Sequence, residues 1–247
     1  NMANAQHPYS LERVATRVPS VGPWRTRLLL ALALCLSSAL SILLFGIRVI
    51  YAENATFFFL NWNLLLAWIP LLAAVAAWAL QDGANRPRLR VTPLLALWLL
   101  FFPNAPYILT DLIHLAPRDN VPMWYDLLLI LSYAWNGLIL GFVSLWIVQG
   151  LLQRWFGPIA GWAGAAAAIF LAAFGIYLGR FLRWNSWDMI TQPLAIVRHL
   201  LSAATNPTEH IKAVVITLVL CAILGAMYFT IALLSRAQIG THEDQKP

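Results

Sequence analysis

Six runs of predominantly apolar residues, each about 20 residues long, decide what this chain can become. They extend from Leu28 to Ile47, Phe57 to Leu80, Val91 to about Leu115, Leu127 to Val148, Pro158 to Leu178 and Ala213 to Leu234. As a helix, a run of that length crosses a hydrocarbon layer of about 30 Å. Only 11% of the residues are charged, against about 25% in ordinary soluble domains. With 61% hydrophobic residues and a mean hydropathy of +0.71, the chain has more apolar surface than a water-soluble core could bury. The expectation is an all-α, polytopic transmembrane bundle of six spans in the lipid bilayer. Residues 28–234 form one transmembrane domain, flanked by an N-terminal segment over 1–27 and a tail over 235–247.

The net charge of +6 would raise the question of nucleic acid in a soluble domain. Here the basic residues stand at the ends of apolar runs, and no basic helix or stacking-aromatic pattern accompanies them, so nucleic acid is excluded. Cys35 and Cys221 lie inside apolar runs and read as small packing residues, without support for a disulfide or a cysteine metal site. Arg13, Arg17, Arg25 and Arg27 precede the first run like the front of a signal peptide, but the run is long and lacks a clear small-residue cleavage site, so a retained helix is expected. Arg86, Arg88, Arg90, Arg154, Arg236 and Lys246 fall on the same side as those four. Arg48, Arg118, Arg180, Arg183, Arg198 and Lys212 fall on the other side, and this smaller group is the extracytoplasmic one. Both termini are therefore expected in the cytoplasm.

The third run is not a plain helix. Pro103 and Pro106 enclose Asn104 and Ala105, and a proline pair at that spacing removes backbone donors and bends or breaks a helix. Counted from Val91, the break lies roughly 18 Å into the span, toward the outer leaflet. Non-helical backbone at such depth either packs against protein or lines a wet cavity, and both readings stand. Gly137-x-x-x-Gly141 and Gly157-x-x-x-Gly161 put glycines on one helix face, where backbones can approach closely. They argue for a compact bundle and leave a homo-oligomer open. Between Arg183 and Pro207, residues such as Met189, Ile190, Leu194, Val197 and Leu201 recur near helical spacing, which predicts a short amphipathic helix on the outer interface.

On this topology the ionisable residues gather at one end. Asp111 and His114 close the third span, Asp126 opens the fourth, and Arg180, Arg183 and Asp188 follow the fifth. Asn61 and Asn63 lie toward the same end of the second span, and Asn136 lies about 15 Å along the fourth from Asp126. Charges at such depth are costly and normally pair in the bundle interior. An ion-pair network of the three aspartates with Arg180 and Arg183 is therefore the first explanation to test. The alternative is a metal: Asp111 and His114 share a face at i, i+3, Asp126 could complete a set of two carboxylates and one histidine, and Asp188 could add a fourth ligand. No HExxH, CxxC or Walker pattern supports it, and no metal ligand is assigned.

The densest polar and aromatic stretch runs from Gly175 to Asp188 and contains Tyr177, Arg180, Arg183, Trp184, Asn185, Trp187 and Asp188. Two arginines at i, i+3 could clamp a phosphate or carboxylate, with the indoles closing over it. Interfacial tryptophan and snorkelling arginine also occur without any ligand. Together with Asn104, Asp111, His114, Asp126 and Asn136, these residues make up the candidate ligand site.

Phe102 to Leu115, Trp124-Tyr-Asp126, Trp135-Asn-Gly137 and Gly175 to Asp188 resemble the bacterial membrane proteins grouped as domain of unknown function 1361. The resemblance covers most of residues 91–190. It implies an inner-membrane protein with several spans and carries no activity, so no catalytic role and no cofactor follows from it. Three classes of function remain: binding or transport of a small anionic or lipid-headgroup ligand, a metal-dependent hydrolase or transferase acting on a lipid-linked substrate, and a structural or assembly role. The serine, zinc, prenyl-protease and lipid-phosphatase signatures of membrane hydrolases are absent, and no inverted repeat is evident, which puts ligand binding or transport first.

Overall fold

The computed structural model describes residues 24–81, 87–118, 121–181, 191, 194, 198 and 211–243, without the side chains of 87–88 and 236–243. Apart from Thr191, Leu194 and Arg198, the expected interfacial helix lies outside these residues, as do Arg183, Trp184, Asn185, Trp187 and Asp188. The helices are α1 (Trp24–Ala52), α2 (Phe58–Gln81), α3 (Pro87–Phe101), a single turn α4 (Asn104–Tyr107), a 3₁₀ helix (Ile108–His114), α5 (Met123–Phe156), α6 (Pro158–Phe181) and α7 (Ile211–Glu243). Six segments are long and apolar enough to cross a membrane, the third of them being Leu89–His114, which combines α3, α4 and the 3₁₀ helix. The protein is a multi-pass membrane protein.

α5 is the axis of the bundle and packs against α1, α2, α6, α4 and the 3₁₀ helix. Leu129, Ile130, Tyr133, Leu140 and Leu145 are buried along it, whereas α1 and α7 leave most of their apolar windows exposed and lie at the periphery. Between lipid and helix, apolar contact gives little net attraction, so peripheral helices need polar ties or close packing. α1 has the ties. Asn136 of α5 donates to Ser41 Oγ at 2.9 Å and to the Ser37 carbonyl at 3.2 Å, and accepts from Ser38 Oγ at 3.3 Å. Trp68 of α2 donates to the same Ser38 hydroxyl at 3.2 Å, and Tyr125 of α5 donates to the Leu44 carbonyl at 2.9 Å.

The break in the third span packs against α5 and α6, as the first of the two readings of Pro103 and Pro106 has it. The chain turns through Phe102 and Pro103, and the amides that remain find carbonyls: Phe102 donates to Trp98 at 2.7 Å, Ala105 to Phe102 at 3.2 Å and Tyr107 to Pro103 at 3.1 Å. Phe102, Ala105 and Pro106 are buried. The void beside them is about 10 Å³ and lined by apolar groups such as Leu138, Phe142 and Ile169. A water needs two or more polar partners in at least that space, so this void supports the packed reading of the break. Gly137 and Gly141 explain the fit, because they face Ala105, and a Cβ built on Gly137 would lie 2.3 Å from the Ala105 carbonyl oxygen. Gly175 of α6 receives Pro103 from the other side. Trp98, stacked on Phe102 with centroids 4.8 Å apart, donates to Ser144 Oγ at 3.1 Å and fixes α3 to α5 just before the break.

Candidate functional site

At one end of the bundle the last turns of α1 and α6 meet the first turns of α2 and α5 and the 3₁₀ helix. With three residues per turn, a 3₁₀ helix eclipses i and i+3. Ile108, Asp111 and His114 therefore stand in one row, the first two of them buried. Asp111 forms an ion pair with Arg180 of α6 and accepts a 2.8 Å hydrogen bond from Asn63 Nδ2 of α2. Arg180 also donates to Thr110 Oγ1 from Nε at 3.0 Å and from Nη2 at 2.8 Å, and its guanidinium lies 4.4 Å from the Tyr107 ring centre. Its Nη1 stands 3.0 Å from His114 Nε2. A guanidinium can only donate, so Nε2 is the acceptor of this contact. Four of the five N–H groups of Arg180 thus point at protein acceptors.

Asp126 belongs to a second group. Its carboxylate takes Arg48 of α1 on one oxygen at 2.7 Å and Arg118, from the loop before α5, on the other at 3.2 Å. Arg48 and Asp126 are both fully buried, whereas the Arg118 side chain is 29% exposed. Asn54 Oδ1 accepts from Arg48 Nη1 at 2.9 Å, and both guanidinium carbons lie 4.6 Å from the Phe57 ring centre. The two groups touch through His114 and its neighbours. Arg118 donates to the His114 carbonyl at 3.3 Å, and the His114 ring meets Phe59 edge-on at 5.0 Å, next to Phe57.

The candidate residues are therefore brought together in part. Asp111, His114 and Arg180 share one group, and Asp126 joins them only through Arg118. Its arginine partners are Arg48 and Arg118, where the sequence suggested Arg180 and Arg183. Asn136 lies apart in the α1–α5 serine knot described above. Asn104 donates to the Phe101 carbonyl at 3.0 Å and belongs to the helix break. Tyr177 is buried with Leu178 and Ala213 between α6 and α7, stacked on Phe181 at 5.6 Å. Among the described residues no three His, Cys, Asp or Glu side chains gather as a metal site would require. Asp111 and His114 share Arg180, whereas the Asp126 carboxylate is taken by Arg48 and Arg118.

Arg48, Arg118, Asn63, Thr110 and Tyr107 complete the network and had no place in the candidate set. The signal for Arg48 was present in its position, between the apolar run that ends at Ile47 and the apolar Val49-Ile50-Tyr51, where a charge needs a partner.

The family model described as "Protein of unknown function (DUF1361)" matches residues 62–225. The chain belongs to this family. No curated protein and no solved structure matches it. The DUF1361 match reaches beyond the motifs at 91–190 and spans the whole Asp111–Arg180 group together with Arg118 and Asp126. Arg48 and the rest of α1 lie outside the matched residues.

Proposed function

We propose that this DUF1361 protein is a bacterial inner-membrane protein with both termini in the cytoplasm, and that its charged end binds, and can pass on, an anionic lipid headgroup or small anion at the outer leaflet. The charge balance of the network carries the reading: among the described residues, the ion pairs of Arg48, Arg118 and Arg180 are with Asp111 and Asp126, three guanidinium charges against two carboxylates. Glu53, exposed beyond the end of α1, forms no ion pair among the described residues. An unbalanced cation beside lipid is costly unless an anion joins it.

Arg118 is the recognition group in this reading. It is the most exposed of the three arginines, its Asp126 partner is already held by Arg48, and three of its five N–H groups are engaged: two toward Asp126 and the Ala116 carbonyl, one toward the His114 carbonyl. Arg180 has less donor capacity left and serves the bundle. Its near-saturation favours a second reading, in which the whole network is structural. Titration of the detergent-purified protein with an anionic lipid, monitored by tryptophan fluorescence, separates the two. Arg118→Gln is expected to weaken binding about tenfold, the factor that about 1.4 kcal/mol of lost pairing produces. Equal binding by a folded Arg118→Gln variant would leave the structural reading standing.

A further inference from the structure

We propose that His114 makes the charged end of the bundle proton-responsive: a proton on its ring strengthens the hold of Arg118 on an anion, so binding tightens as the pH falls. The inference rests on the reading of the network as an anion site and adds its regulation. His114 closes the 3₁₀ helix and stands where the two charged groups meet. Its ring accepts from Arg180 Nη1 on Nε2 at 3.0 Å, and its backbone carbonyl accepts from Arg118 Nη2 at 3.3 Å. The same residue therefore touches the arginine that ties α6 to the third span and the arginine assigned to recognition.

The contact with Arg180 lasts only while Nε2 keeps its lone pair. A guanidinium cannot accept, so a proton on Nε2 sets two donors and two positive charges against each other. Arg180 is the fixed partner, held by its ion pair with Asp111, by two hydrogen bonds to Thr110 Oγ1 and by the Tyr107 ring. His114 is exposed, and its ring otherwise meets the edge of Phe59, so the imidazolium is the group that turns away. No carboxylate of the network stands ready to cancel its charge. Asp111, one turn back on the same helix, already holds Arg180 and Asn63, and Asp126 of α5 already holds both Arg118 and Arg48 of α1. From α2 come the uncharged Phe59 and Asn63. Three guanidinium charges against two carboxylates thus become four positive charges against the same two, and the added one belongs to the residue that Arg118 touches. By linkage, a bound anion holds the proton on His114 by the same factor that the proton tightens the anion.

Titration of the detergent-purified full chain with phosphatidylglycerol, and with phosphatidylcholine as the neutral reference, tests this at about pH 8 and about pH 5.5, toward the two ends of the range in which histidine ordinarily changes charge. Both lipids keep their charge between these values, so a change in affinity belongs to the protein. The wild type is expected to bind phosphatidylglycerol about fivefold more tightly at the lower pH, the low end of couplings between sites. His114→Gln, which cannot take up the charge, should show the weaker affinity at both values, and His114→Arg, charged throughout, the tighter affinity at both. If His114→Gln fails to give a monodisperse protein, His114→Arg decides. A wild type that prefers phosphatidylglycerol to the same degree at both values would overturn the proton response and leave the anion reading intact. A response that persists in His114→Gln would overturn the role of His114. Equal binding of the two lipids by the wild type at both values would remove the anion reading and this inference with it.

Discussion

Replacing Gly137 with alanine tests whether the broken third span is seated on α5 as described. The added Cβ would lie 2.3 Å from the Ala105 carbonyl oxygen and 3.0 Å from Ile108 Cδ1. The side-chain contact can relax by rotation of the isoleucine. The carbonyl cannot, because it belongs to backbone held on one side by Gly137 and, through Pro103, on the other by Gly175. Ordinary contact requires a displacement of about 1 Å between two packed helices. Overpacking of this kind costs typically 1–3 kcal/mol, and a clash with backbone belongs at the upper end. At about 3 kcal/mol the melting midpoint in detergent should fall by roughly 6–12 °C for a chain of this size. Gly46→Ala and Gly225→Ala meet nothing within 4 Å and serve as controls, with midpoints unchanged or slightly higher. Fluorescence-detected size exclusion after heating reads all three. A Gly137→Ala midpoint within error of the controls would mean that α4 does not press on α5 there.

Asp126→Asn should cost about 3–5 kcal/mol, because it strands the fully buried Arg48, and the double change Arg48→Met with Asp126→Leu should recover most of it. A single variant as stable as wild type in a detergent melt would contradict the pairing. Asn136→Leu removes two donated bonds and one accepted bond to α1, at about 0.6 kcal/mol each in membrane proteins, for a total near 2 kcal/mol. Its effect should disappear in a chain truncated before α2, if that chain still folds, and should otherwise appear as easier proteolysis of α1. For the orientation, alkaline-phosphatase fusions should be inactive after Lys246 and active after Arg118, and the opposite pattern would invert the assignment.

The six spans were legible because run length and hydropathy alone decide whether a helix can cross lipid, and the break at Pro103 and Pro106 was legible because proline cannot donate. What fills the space at the break was not. Gly137-x-x-x-Gly141 announces a face that admits backbone, but the spacing is silent on which backbone arrives, and it proves to be the turn around Ala105. The row of Asp111 and His114 followed from i, i+3 spacing, which a 3₁₀ helix satisfies even more directly than an α-helix. Charge partners were harder. Depth placed Asp126 level with Arg48, Arg118 and Arg180 alike, and only the packing of α1 against α5 selects Arg48 for it. Counting Arg48 as a marker of orientation hides its buried pairing, which its place four residues inside the end of α1 betrays.

The three arginines differ in what they hold together, and that difference predicts how stability and binding separate. The Arg48–Asp126 pair joins α1 to α5, and the Arg180–Asp111 pair joins α6 to the third span. Loss of either leaves a buried charge uncompensated between two spans. Arg118 joins nothing that is not already joined. Two of its acceptors, the Ala116 and His114 carbonyls, lie within four residues of it, and its carboxylate partner is already neutralised by Arg48. A partly exposed pair of this kind contributes about 0–1 kcal/mol. Arg118→Gln should therefore lower the melting midpoint by no more than about 4 °C while weakening the anionic lipid about tenfold. Arg180→Gln should do the reverse, with a large loss of stability and little change in binding by the fraction that remains folded. If both variants lose stability and binding in the same proportion, the network acts as one structural unit and the assignment of recognition to Arg118 is wrong.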